Sequence, residues 1–187
     1  MLNTNRRDLL AGAVVLFGSS LVAPLARAAT AAGSLAGFTA SHAVFTEEQR
    51  TLVAALSERI IPTTDTPGAI AAGVPAFIEM MLADWYGPTD RNEFMAGIGI
   101  VDGYARVRYA KPFAQLPPDS QDAILSLAME NAVPGLARSF FDHCRQMVIL
   151  GYYSSEIGCK QERVYLPVPG RYDGAYPYAE VRRIFSS

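Results

Sequence analysis

The chain has 187 residues, half of them apolar and 18% charged, with 16 basic and 18 acidic side chains and a net charge of −2. No basic block stands out, which excludes nucleic acid as an expected partner. Two cysteines without CxxC or CxxCH spacing exclude an iron–sulfur cluster or an attached haem in this chain.

The chain opens Thr4-Asn5-Arg6-Arg7-Asp8-Leu9-Leu10, continues as an apolar stretch over 11–22, and closes with Ala26-Arg27-Ala28. Charged, apolar and small-residue regions in that order mark a bacterial export signal, with Ala28 at the cleavage box. The paired arginines ahead of the apolar core resemble a twin-arginine (Tat) signal, whose machinery carries folded proteins. A general secretory signal that happens to hold two arginines is the competing reading. Gly12, Gly18, Ser19, Ser20 and Pro24 interrupt a run already short of the ~20 apolar residues a membrane span needs. Setting residues 1–28 aside removes Arg6, Arg7, Arg27 and Asp8 and leaves 13 basic and 17 acidic side chains. The remainder suits one domain with a real core. Its apolar share leans toward a subunit that hides surface on a partner.

Residues 29–45 are rich in Ala, Gly, Ser and Thr and are expected to be a flexible lead-in. Thr46 followed by Gln49 fits a capping box, and Leu52, Val53, Leu56 and Ile60 then form one helical stripe ended by Pro62. The stretch from Ile61 to Ala69 is a loop dense in turn formers. Val74-Pro75 starts a second helix carrying Phe77, Ile78, Met81, Leu82 and Trp85, broken by Gly87-Pro88. Thr89 or Asp90 is expected to cap a third helix to about Tyr109. Its Gly97, Gly99 and Gly103 weaken the helix and suit close approach of a neighbour. Pro117-Pro118 opens a fourth helix through Met129, and Leu136 a fifth to about Leu150, apolar around much of its circumference. Only Arg163–Leu166 alternates like a strand. The expected fold is all-α: a compact helical domain of about five helices over 46–151.

The segment 152–187 differs in kind. It holds six of the nine tyrosines, broken by Pro167, Pro169, Gly170, Gly174 and Pro177, so it is expected to be a long irregular tail. Such a segment builds no core of its own and must lie on its own helices or on a partner; partner contact is the favoured expectation.

Self-sufficient chemistry is thin. There is no GxGxxG and no GxxxxGK[ST] loop. His42 and His143 lie far apart, and Asp142, His143 and Cys144, as neighbours, occupy different helix faces, so no metal site is expected. Ser154, Ser155 and Glu156 lack an evident general base. Ser155 or Glu156 is expected to clamp the backbone of a turn ending near Gly158, and Asp65 to form an Asx-type turn. No catalytic, cofactor-binding or metal residue is assigned. Cys144 and Cys159 are able to bridge each other, pair with another chain or stay thiols. The expectation is that Cys144 is a buried thiol and Cys159 an accessible thiol or one joined to a partner.

Two stretches carry a resemblance. Ile60-Ile61-Pro62-Thr63-Thr64-Asp65-Thr66-Pro67-Gly68-Ala69, with Ala72-Gly73-Val74 after it, is similar to the N-terminal signature of the gluconate 2-dehydrogenase subunit 3 family. Gly151-Tyr152-Tyr153-Ser154-Ser155-Glu156-Ile157-Gly158, then Gln161, Tyr165 to Gly170 and Tyr172-x-Gly174, resembles its C-terminal signature. The resemblance implies a non-catalytic small subunit of a membrane-associated periplasmic dehydrogenase acting on sugars, sugar acids or polyols. Its implied partners are a large glucose–methanol–choline-type flavoprotein, which holds the FAD, and a cytochrome c subunit with haem c. The small chain would supply the export signal and stabilise the large one, which accounts for a folded-protein signal on a chain with no cofactor motif. Tyr152, Tyr153, Glu156, Cys159, Tyr165, Pro169 and Tyr172 are the expected partner contacts. The resemblance also implies a cysteine near Ala175, whereas this chain carries one at Cys159. The alternative is an independent periplasmic enzyme or small-ligand binder using Asp65, His143, Ser155 and Glu156.

Overall fold

The computed structural model describes residues 38–165 together with Pro177, Ala179, Arg182 and residues 185–186, and within residues 38–165 five α-helices follow one another. They are α1 (Glu47–Ile60), α2 (Val74–Asp84), α3 (Pro88–Tyr109), α4 (Pro118–Met129) and α5 (Phe140–Ser154). A 3-10 turn, Phe113–Gln115, links α3 to α4, and a π-helical turn, Gly158–Glu162, follows α5. Val164–Tyr165 (β1) pairs in parallel with Phe185–Ser186 (β2), Val164 opposite Phe185. The all-α expectation holds for this part of the chain. None of these helices is long and apolar enough to cross a membrane.

Local chemistry explains most boundaries. At α1, Thr46 Oγ1 accepts from Gln49 N–H at 3.2 Å while Gln49 Oε1 accepts from Thr46 N–H at 2.9 Å, a complete capping box. At α2, Gly73 sits at φ 76°, the left-handed region that glycine tolerates, and Pro75 follows within the first turn. Helix α3 starts two or three residues earlier than a Thr89 or Asp90 cap would place it, since Gly87 is the N-cap and Pro88 the first helical residue. Helix α4 begins at Pro118 as its sequence requires.

The core is continuous. Leu52, Val53 and Leu56 of α1 meet Ile78 and Leu82 of α2, Phe94, Ile98 and Val101 of α3, Ile124 of α4 and Val148 of α5 in one buried cluster. Of the three glycines in α3, only Gly97 serves close approach: a Cβ there would run into the Phe140 ring. A Cβ at Gly99 or Gly103 would meet nothing within 4 Å.

Three expectations need correction. The lead-in is not loose throughout, because Phe45 is buried and the ring of Phe38 packs on Phe77 with centroids 4.8 Å apart. Residues 29–37 lie outside the described part. Helix α5 starts at Phe140 rather than Leu136, since residues 134–139 are spent on turns, with Gly135 at φ 79°. The tail does not begin at Tyr152 either: α5 runs to Ser154, and after a bend at Ser155 the chain stays helical to Glu162.

Candidate partner-contact surface

The two signature stretches, distant in sequence, fold against each other. Helix α5 runs antiparallel to α2, with Gly151 against Phe77 at one end and His143 against Tyr86 at the other. A Cβ on Gly151 would lie 2.6 Å from Phe77 Cδ1, so glycine is what lets the helices close here. From the same turn of α5, the Tyr152 hydroxyl donates to the Pro67 carbonyl at 2.9 Å, across 85 positions of sequence. Further along, the Thr66 hydroxyl donates to Glu162 Oε2 at 2.9 Å. The Pro/Thr/Gly loop is thereby pinned to the end of α5 at two points.

Glu58, which no sequence motif flagged, cinches that loop from within. Its Oε1 accepts from Thr63 N–H at 2.9 Å and the Thr63 hydroxyl at 2.7 Å, and its Oε2 from Ile70 N–H at 2.9 Å. Thr63 Oγ1 in turn accepts from Gly68 N–H at 3.0 Å. Gly68 has no room for a side chain, because a Cβ would collide with Glu58 Oε1 and lie 2.5 Å from the Thr63 nitrogen. Asp65 Oδ1 accepts from the Thr64 hydroxyl at 2.9 Å at the exposed tip. At the far end of the loop Ile70 is left half exposed.

After α5 the chain is clamped by Ser155, as its sequence setting suggested. Its hydroxyl donates to the Tyr152 carbonyl at 2.6 Å and accepts from Gly158 N–H at 3.1 Å. Gly158 lies so close to the Tyr152 carbonyl that only glycine fits.

The expected contact residues divide accordingly. Tyr152 is corrected from surface to core: it is 2% exposed, and burial pushes its phenol above the usual range. Tyr153 keeps a half-exposed position, with the Arg163 guanidinium 4.5 Å over its ring. Glu156 is exposed and pairs with Lys160 at 2.7 Å, which holds its carboxyl below the ordinary value. Cys159 is half-buried, its thiol donating to the Tyr153 carbonyl at 3.1 Å. Tyr165 lies in β1 opposite Ser186. Arg6, Arg7, Ala28, Pro169 and Tyr172 lie outside the described residues.

The residues of the alternative enzymatic reading are not assembled into a site. Asp65 is bonded to Thr64, Ser155 to Tyr152 and Gly158, and Glu156 to Lys160. His143 Nε2 lies 2.8 Å from the Tyr86 hydroxyl, with the two rings stacked at 5.2 Å. An open groove of about 560 Å³ runs between α1 and α3, walled by Glu48, Leu52, Ile98, Gly99, Asp102 and Arg106, and none of those four residues lines it. Asp102 is already committed there, accepting from Phe113 N–H at 2.8 Å and Arg106 Nε at 2.6 Å. Cys144, its thiol pushed up to about 12 by burial, and Cys159 are not bridged to each other. Among the described residues no three His, Cys, Asp or Glu side chains gather as a metal site.

No curated protein and no solved structure matches the chain. Residues 47–170 match the family model described as Gluconate 2-dehydrogenase subunit 3. The match starts at the first residue of α1, spans the whole helical body and takes in both pinned stretches. The chain belongs to the gluconate 2-dehydrogenase subunit 3 family.

Proposed function

We propose that this chain is the non-catalytic small subunit of a periplasmic, membrane-associated dehydrogenase acting on CH–OH groups of a sugar, sugar acid or polyol. It supplies the twin-arginine export signal at Arg6-Arg7 and stabilises a large flavoprotein of the glucose–methanol–choline type. The large chain carries the FAD, and a cytochrome c subunit with haem c accepts the electrons. The family match over residues 47–170 carries this reading, since the family is by description one subunit of a dehydrogenase.

The way the polar side chains are spent supports it. Glu58, Ser155, Thr66 and Asp102 each hold backbone or a neighbouring element, which is the work of a scaffold that presents a surface. On that surface the loop bearing Ile70, and Tyr153, Glu156 and Cys159 beside the pinned end of α5, are the contacts offered to the large subunit.

Isolation of the tagged full-length chain from its native envelope fraction tests the proposal. The expected product is a complex with a larger chain, yellow with flavin, in which dehydrogenase activity follows the larger chain. An isolated small chain that oxidises sugars or polyols by itself would overturn it.

A further inference from the structure

Residues 38–45 lie against α2 and lead into α1 as a strap held at three places. The Phe38 ring meets Phe77 edge-on at 4.8 Å. Ser41 N–H faces both oxygens of Asp84 at 3.3 and 3.4 Å. Val44 and Phe45 N–H donate to Glu79 Oε1 at 3.0 and 3.1 Å. Glu79 is 9% exposed, and it also accepts from Arg50 Nε and Nη2, each at 3.0 Å. The junction therefore has three components: the strap, Arg50 from α1 and Glu79 from α2.

A carboxylate this buried is tolerable only when its charge is paired and its lone pairs are met. At Glu79, α2 alone does not offer the strap a finished acceptor, since Arg50 of α1 supplies the counter-charge. Phe45 is the strap's one fully buried side chain, Phe38 and Val44 are partly buried against the core, and residues 41–43 are exposed. Segments with few buried contacts open ahead of the body to which they attach.

We propose that the strap is a fold-completion latch. It docks only once α1 and α2 have packed, and it opens without unfolding the helices. The chain N-terminal to Phe38 is thus anchored to the domain in folded molecules and in no others. One consequence rests on the export reading above: a signal at Arg6-Arg7 becomes tethered to a fixed point only on chains that have finished folding.

Hydrogen exchange on the full-length chain tests the latch, with Glu79→Gln from the helix side and Val44→Pro from the strap side. The second variant deletes one donor and leaves both helices untouched, so it carries the readout even where Glu79→Gln fails to fold. The Phe45 amide is expected to exchange at least tenfold faster, while amides of Val148 and Gly151 in α5 keep their protection. Unchanged strap exchange, or strap and α5 amides accelerating together in both variants, overturns the latch. In cells, export of the Val44→Pro chain should fall severalfold, measured beside Arg6→Lys/Arg7→Lys. If the arginine variant is retained and Val44→Pro is exported like wild type, the coupling is overturned and the export reading stands. If the arginine variant is itself exported normally, the export reading and the coupling both fail, and exchange alone decides the latch.

Discussion

Tyr152 is the sharpest test of how the two signature stretches work together. Its ring is buried in the core, and its hydroxyl donates to the Pro67 carbonyl at 2.9 Å. Tyr152→Phe keeps the ring and strands a partly buried carbonyl, which should cost ~1–2 kcal/mol. Tyr152→Ala removes the whole aromatic group from a packed site and should cost ~3–5 kcal/mol. For a domain of this size each kcal/mol lowers the melting temperature by ~2–4 °C. Phe should therefore melt several degrees below wild type, and Ala ~10 °C or more. Thermal unfolding followed by circular dichroism gives these values. The decisive companion measurement is assembly with the large subunit per folded molecule. Loss through instability predicts that folded Tyr152→Phe assembles as wild type does. A Phe variant of unchanged stability that no longer assembles would return Tyr152 to the interface.

The glycines of α3 should respond with opposite signs. Gly97→Ala pushes a methyl into the Phe140 ring and should destabilise by ~1–3 kcal/mol, whereas Gly99→Ala and Gly103→Ala face open space and should stabilise by ~0.5–1 kcal/mol each in chemical denaturation. Equal responses at the three positions would refute the packing at Gly97. Acid should weaken the fold through two ion pairs: Arg50 and Arg59 hold the Glu79 and Asp122 carboxyls below their ordinary values of 4.5 and 3.8. Carboxyls lowered in this way stabilise the fold above those values, and the contribution disappears as pH falls through the lower folded ones. Urea melts at pH 6 and pH 3 should show the decline, with a shallower one for Asp122→Asn; a fold more stable at pH 3 would contradict it. A thiol reagent at pH 8 should leave Cys144 unlabelled until the protein unfolds, because burial pushes that thiol up to about 12. Labelling of both thiols in the native state would contradict the described core.

What the sequence made legible was whatever short-range chemistry decides. Thr46 and Gln49 are three residues apart, so their capping box is readable as a pattern, and Pro118 marks the start of α4 by geometry alone. The ends of α5 were misplaced because they depend on other things. Its start waits for the turns after Val133, and its end extends to Ser154 because Ser155 closes the last turn onto Tyr152. The tyrosine-rich composition suggested a partner-facing tail from Tyr152 onward, yet a tyrosine with one carbonyl to meet packs in a core as readily as on a surface. Glu58 and Glu79 were invisible for a different reason. Each is a lone acid in its own stretch, and Glu79 finds its partners 29 to 35 positions away, a pairing no local pattern encodes. Arg91 is similar: it donates to the carbonyls of Leu82, Ala83 and Tyr86 and so caps α2 from the next helix. The pinning of Pro67 by Tyr152 belongs to the same class, though both residues lay inside stretches already singled out.

We propose that this chain escorts a catalytic partner out of the cytoplasm. The decisive experiment is Arg6→Lys with Arg7→Lys, followed by fractionation and an activity stain for the dehydrogenase. Both this chain and the flavoprotein should stay in the cytoplasm and periplasmic activity should be lost, while the mutant chain still folds. Periplasmic dehydrogenase activity at the wild-type level in that variant would contradict the escort role.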